Sequence, residues 1–442
     1  MLLGILLLVH SRNPFDSDEG VILEGAWNML NGKTLYTNFF EFIPPGSFYF
    51  VFLLWKIFSP TYFAAKLFSV LLFWLTGIGI YKISRIFRSS ILNYIAPAIF
   101  VCSSFFWPII NHNANNLFFL VYATYFFLVG LSKNQNKFYL CSGLLSGISI
   151  LFLQQKGIIL CATLFSYLIF LAIFEKSKEK IKQALIYFGS AFLATLIIFI
   201  KWSPVLLYNN LIKFALSNYI ETNKMPFGIL IFFVILTVLA MLLLKNQKSK
   251  RIYFLFYLQF TLLATTFARP DNYHILLVIF PLYSLLPLII LEILKINSYA
   301  KYLYLAIISL VLFLIVIPSL LFISMNPPTF KRSPLYQTVD FIKENCPRNN
   351  DLYVGPFIPG LYFEAKKVNF TPYYILMTGF QGQEYFETTR KLLEINQPKC
   401  IVMNYEIVKK FNYSQDNPVD NYIKSNYTLK KQVFADMIFI KN

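Results

Sequence analysis

Charge is scarce in this sequence. Asp, Glu, Lys and Arg together make up 14% of its 442 residues, against about 25% in a soluble globular protein. So few charges cannot cover a water-facing exterior, which excludes an ordinary soluble globule. One oversized soluble core is no escape, because single cores stop growing at roughly 250–300 residues. Cysteine is sparse too, five in all, and no pair has C-x-x-C spacing, so the sequence does not indicate a structural zinc site. Cys102, Cys141 and Cys161 lie inside apolar segments and read as small packing residues. Acidic residues are few, 21 against 39 basic, for a formal net charge of +18. Such an excess can mark a nucleic-acid binder, but here Lys and Arg fall in short clusters between apolar runs, the pattern of a positive-inside bias. No nucleic-acid partner is expected. No internal repeat is visible, which counts against the architecture of many secondary transporters.

What is abundant is apolar and aromatic: 57% of residues are hydrophobic and 19% are Phe, Trp or Tyr. Stretches long enough to cross a bilayer, roughly 17 to 20 residues each, run at Tyr62–Ile83, Leu92–Ile110, Leu117–Leu131, Phe138–Leu153 and Ile158–Phe174. Further ones run at Ala184–Trp202, Phe227–Leu244, Ile252–Phe267, Tyr273–Leu294 and Tyr302–Ile323. If each crosses once, the clusters at Lys82–Arg88, Lys133–Lys137, Lys176–Lys182, Lys245–Arg251 and Lys295–Lys301 all fall on one side, which is then the cytoplasm. Met1–His10 is about half a spanning helix and has neither the charged start nor the cleavage site of a signal peptide, so it reads as the end of a first span. Ser47–Phe58 would invert every basic loop if it crossed, and is expected to lie at the outer interface.

From Asn326 the composition turns polar. Leu335–Asn345 and Gln383–Ile395 have helical periodicity, while Asp351–Val354, Cys400–Met403 and Gln432–Ile440 read as strands. The expected fold is therefore an all-α polytopic membrane bundle of about 11 transmembrane helices, residues 1–325 with a first external loop at 11–61. A small C-terminal α/β extracytoplasmic domain follows at 326–442. Cys346 and Cys400 lie in that domain, where an oxidising compartment permits them to pair. Asn369, Asn412 and Asn426 each open an N-x-[ST] triplet, a pattern that chance often produces.

The first external loop holds Asp16, Asp18, Glu19, Glu24 and Glu41 between two membrane-associated segments. A carboxylate there can act as a general base if it reaches the proton being removed. Asp16 or Asp18 can equally cap a helix Glu19–Leu30. Lys156 lies on the face where positive charge is sparse and can hold a phosphate as a point charge, or else snorkel along apolar surface. Arg269 can bind phosphate bidentately, or else pair locally with Asp271 while His274 is satisfied within the bundle. Asn111–Asn116 reads as a polar outer turn, with contact to sugar hydroxyls as the alternative.

The order Asp18-Glu19, Ala26, Gly32-x3-Tyr36, then Glu41 ahead of Pro44-Pro45-Gly46 resembles the first external loop of GT-C glycosyltransferases, nearest to the aminoarabinose transferases and protein O-mannosyltransferases. Gly143 and Gly147 leading through Phe152-Leu-Gln-Gln-Lys156-Gly157 resemble a second family segment, and Arg269 followed by Tyr273, His274 and Pro281 a third. Two residues depart from the aminoarabinose pattern. Val21 stands where that family has Arg, and Phe42-Ile43 separates Glu41 from Pro44, which counts against a lipid A–type substrate.

The resemblance implies a membrane glycosyltransferase that uses a polyprenyl-phosphate sugar donor. Asp18 is the implied catalytic base and Glu41 lines the same cavity, with Glu19, Lys156, Arg269, Tyr273 and His274 as substrate-binding residues. The acceptor would be a hydroxyl of a glycan, lipid or protein on the outer face of the membrane, and transfer would be inverting. No cofactor is required by this reading, and a divalent metal is left open. The rival readings are a transporter or lipid flippase and a ligase for whole lipid-linked glycans.

Overall fold

A computed structural model describes residues 1–10, 17–105, 107–219, 226–325, 334–348 and 351–442. Asp16 lies outside the described residues. The chain divides into two compact units: one of Met1–Asn13, Lys66–Trp202 and Lys224–Thr329, the other of Pro14–Ala65, Ser203–Asn223 and Phe330–Asn442. The C-terminal segment thus shares a unit with the acidic loop.

The first unit is helical. Among the described residues, five helices are long and apolar enough to cross a membrane: Tyr62–Phe87, His112–Lys133, Gln154–Phe174, Lys178–Ile200 and Ala300–Leu321. A sixth candidate, Asn272–Val278 with Phe280–Leu294, is bent by 62°. The expected span Leu92–Ile110 is shorter than its composition suggests, because helical structure runs only from Ile91 to Cys102. Asn136–Phe152, at 17 residues, is at the lower limit for a crossing, and Gly228–Leu243, at 16, falls short of it.

Small residues set how closely these helices pack. Gly143 and Gly147, four apart on the helix Asn136–Phe152, face the backbone of Lys178–Leu196. A Cβ at Gly143 would collide with the Tyr187 carbonyl oxygen, and one at Gly147 with that of Ala191. This is the close approach that small residues permit between membrane helices. Hydrogen bonds add to it. Tyr187 bonds Ser146 Oγ at 2.9 Å, Ser142 Oγ donates to Ala123 O at 2.8 Å, and Ser149 Oγ donates to Asn116 Oδ1 at 2.6 Å.

The second unit holds a four-stranded sheet, in the order β1 (Leu352–Gly355), β2 (Cys400–Met403), β4 (Asp436–Lys441), β3 (Tyr427–Val433). β1 and β2 are parallel, so a crossover must join them, and the helix Gln383–Asn396 lies in it. Leu352, Val354, Cys400 and Val402 pack on one face with Val339 and Ile342. Tyr353, Ile401 and Met403 pack on the other with Phe386, Leu393 and Ile423. Both faces are covered, which is why β1 and β2 are buried at every position. Gln432–Ile440, read from its alternation as one strand, is instead a hairpin. Phe434 takes a φ of +54° at the turn, and β3 and β4 pair antiparallel across it. Alternation alone does not reveal a turn that lacks Gly, Asn or Pro. Cys346 and Cys400 are joined, with their Cα atoms 6.1 Å apart.

The acidic loop is stitched to the C-terminal segment. Trp27 Nε1 donates to Lys367 O at 2.8 Å, Phe40 N to Pro372 O at 2.8 Å, and Lys366 Nζ to Pro60 O at 3.0 Å. Gly46–Ile57 forms a 12-residue helix, too short to span, with Leu53 and Ile57 exposed.

Candidate functional site

The acidic residues of the loop have different environments. Asp18 is half-buried in the first turn of the helix Ser17–Leu30, where the helix dipole favours a carboxylate. Glu19 is fully buried, and the Tyr62 hydroxyl donates to its Oε2 at 2.5 Å. Neighbouring positions on a helix point in different directions, so Asp18 and Glu19 divide between rim and interior. Glu24, one turn further on, is also fully buried and accepts from Asn28 Nδ2 at 3.0 Å. Burial pushes its carboxyl well above the usual range, against the opposing pull of the Lys33 charge and the Asn28 hydrogen bond.

Glu41 is the residue whose chemistry the loop changes most. It is 1% exposed, and its Oε1 accepts from the Phe42 and Ile43 N–H groups at 2.8 and 3.0 Å. Its Oε2 is buried without a hydrogen-bond partner among the described residues. Burial raises its pKa to about 8, and the two backbone N–H groups only partly counter that. At neutral pH Glu41 is therefore mostly a neutral acid, able to donate from Oε2. The side chain lines a small cavity with Phe40, Phe42, Tyr374, Ile375 and Gln381.

The other sequence-derived residues lie in the first unit. Lys156 does not snorkel. It sits in the first turn of Gln154–Phe174, is 2% exposed, and donates from Nζ to Asn113 Oδ1 at 2.9 Å. Asn111–Asn116 is likewise not an outer turn. Asn111 caps the helix His112–Lys133 by accepting from Asn113 N at 2.8 Å, and Asn113, Asn115 and Asn116 are buried in its first turn. A polar run directly ahead of a long apolar one was the available signal for a buried helix start.

Asp271 is the hub of this cluster. It caps the helix Asn272–Val278, accepts from Arg269 Nε at 2.8 Å and bonds His274 Nδ1 at 2.7 Å. Burial opposes its ionisation, but the His274 hydrogen bonds and the Arg269 charge prevail and bring its pKa down to about 2. The local Arg269–Asp271 pair that the spacing allows is therefore formed. Asp271 is also within electrostatic range of Lys156, and His112 is within range of Lys156, Arg269 and His274. Tyr273 is buried and packs against Trp107 with ring centroids 4.8 Å apart. Lys156, Arg269 and His274 are thus brought together, and they are joined by His112 and Asn113 from the polar run 111–116, which the sequence did not link to them. Among the described residues no group of three His, Cys, Asp or Glu side chains is arranged to hold a metal ion. An apolar cavity in the same unit is lined by Ile99, Phe233, Leu236, Leu282, Ile308 and Ile315.

Residues 43–208 match the family described as dolichyl-phosphate-mannose-protein mannosyltransferase. No curated protein matches the sequence. Among solved structures, ArnT from Cupriavidus metallidurans bound to undecaprenyl phosphate aligns over 99% of this chain and 97% of its own, with a TM-score of 0.58 and 13% identity. The archaeal oligosaccharyltransferase AglB from Archaeoglobus fulgidus, in complex with an inhibitory peptide and a dolichol-phosphate, aligns over 100% of this chain and 74% of its own. Its TM-score is 0.60 at 12% identity. The long apolar helices define a multi-pass membrane protein, and its fold is shared with ArnT and AglB.

Proposed function

We propose that the protein is an inverting glycosyltransferase that moves a sugar from a polyprenyl-phosphate donor to an acceptor hydroxyl on the outer face of the membrane. The observation that carries this reading is the assembly of Lys156 and Arg269, from distant segments, around Asp271. Two basic side chains held at the starts of apolar helices suit a lipid phosphate. The apolar cavity in the same unit suits the lipid tail.

In this mechanism Asp18 takes the proton of the acceptor hydroxyl as its oxygen attacks the anomeric carbon. The bond from that carbon to the phosphate oxygen breaks, and its electron pair leaves with the lipid phosphate, which departs ionised and needs no general acid. Lys156 and Arg269 stabilise the leaving charge, and neutral Glu41 offers a hydrogen bond to the sugar or acceptor. His274 and Tyr273 complete the phosphate side. The Cys346–Cys400 disulfide favours an oxidising, extracytoplasmic location for the C-terminal domain.

The test uses the full chain in nanodiscs with a panel of undecaprenyl-phosphate sugars, following release of undecaprenyl phosphate. One donor should be consumed, and Asp18→Asn should slow its consumption by roughly 10²–10⁴-fold. Release of no lipid phosphate from any donor, or parental rates in Asp18→Asn, would overturn the reading. A flippase would move the donor between leaflets without releasing the phosphate.

A further inference from the structure

The unit that carries the acidic loop also contains an open cleft of about 360 Å³. Tyr36 and Phe40 come to it from the loop, and Tyr373, Glu384, Tyr385 and Thr388 from the C-terminal segment. Phe40 N donates to Pro372 O at 2.8 Å, which holds the two segments together. Glu384 and Thr388 stand four apart in the first turns of the helix Gln383–Asn396 and so share a face.

The aromatic side is built rather than incidental. The Tyr373 and Tyr385 rings lie 4.9 Å apart, and Phe40 meets them edge-on at 6.3 and 5.8 Å. Tyr36 adopts a φ of +65°, a left-handed conformation that is costly for a bulky residue, and its hydroxyl donates to Ile43 O at 2.7 Å. Such strain is retained where the surrounding structure imposes it, commonly at functional sites.

We propose that this cleft is a saccharide-binding site that takes a sugar ring of the acceptor. A pyranose presents C–H groups on its faces and hydroxyls around its edge. Tyrosine faces receive the first, while the Glu384 carboxylate and the Thr388 oxygen accept from the second. Concave sites with aromatic walls and a few convergent polar groups are the usual form of small-ligand pockets. The lining includes Glu384 and no Lys or Arg among the described residues, which turns away an anionic lipid headgroup. It is bounded by a helix start and a non-strand segment, so it offers a peptide no open strand edge to extend. Phe40 lines both this cleft and the small cavity of Glu41. Calling the sugar an acceptor rests on the glycosyltransferase reading; the saccharide site does not.

The experiment presents the labelled full-length chain in nanodiscs to a printed glycan array, with Ser/Thr-containing peptides printed alongside. One class of glycans should be captured. Tyr385→Leu should weaken capture roughly tenfold, as expected for loss of a stacking face, and Glu384→Gln should also weaken it, both with unchanged thermal unfolding. The proposal is overturned if no glycan is captured, if neither variant alters capture, or if peptides are captured in place of glycans. Capture should persist in Asp18→Asn. If Asp18→Asn also transfers sugar normally, the catalytic assignment fails while this site stands.

Discussion

The Lys156 ammonium donates to Oδ1 of Asn113 at 2.9 Å, and both residues are buried. The carbonyl oxygen of an amide holds the Lys156 nitrogen in place without placing an opposite charge beside it, which leaves the position open to an incoming anion. A hydrogen bond to a charged group contributes about 1.5–3 kcal/mol. Lys156→Ala should raise the KM for the lipid-phosphate donor by tenfold or more. Lys156→Arg should not restore it, because a planar guanidinium does not substitute for a point charge in a fitted pocket. Initial rates across donor concentrations measure both effects.

Glu19 is fully buried and tied to Tyr62. Tyr62→Phe removes one hydrogen bond from the buried Glu19 side chain and should destabilise the protein by about 1–3 kcal/mol. It should lower the amount of folded enzyme more than the kcat of what remains. Thermal unfolding and active-site-normalised rates separate the two. Asp18→Asn should show the opposite pattern, with folding retained and kcat lost.

Glu41 makes stability depend on pH. Its folded pKa, about 8, lies above the ordinary 4.5. The folded state thus binds a proton that the unfolded state releases between those values. Its contribution to stability is complete below about pH 4.5 and is lost as pH rises through about 8. Glu41→Gln should flatten the fall in unfolding temperature between pH 6 and pH 9, and should remove the matching alkaline loss of activity. An unchanged pH profile would show that Glu41 is not the titrating group.

Two glycines should respond oppositely to the same substitution. A Cβ at Gly147 would strike the Ala191 carbonyl, whereas one at Gly189 meets nothing within 4 Å. Gly147→Ala should cost about 1–3 kcal/mol by overpacking. Gly189→Ala should stabilise by about 0.4–1 kcal/mol, because it lies in a helix and lowers the entropy of the unfolded chain. Detergent-phase thermal unfolding of the two variants decides this.

Much of the architecture was legible in the sequence because bilayer physics leaves few options. Helices such as Tyr62–Phe87 and Gln154–Phe174 must satisfy their own backbone in lipid, so a long apolar run is nearly sufficient evidence for them. The elements Pro334–Asn345, Gln383–Asn396 and Cys400–Met403 were legible from periodicity, because each buries one face or both. The bend between Val278 and Phe280 was hidden, since hydropathy averages over a window and does not register direction. The hairpin turn at Phe434 was hidden because its residues carry no turn chemistry.

The site divides in the same way. Composition and order by themselves determined a membrane-embedded chain with an acidic loop before Pro44-Pro45 and isolated cations at Lys156 and Arg269. These features depend on residue type and local spacing. Only tertiary structure decided that Lys156 turns inward to Asn113, that Asp271 gathers Arg269 and His274, and that Glu19 is locked by Tyr62. It also decided that Glu41 holds a proton near neutrality. Protonation and charge pairing are set by what surrounds a group once water is removed, and those surroundings come from segments far apart in the chain.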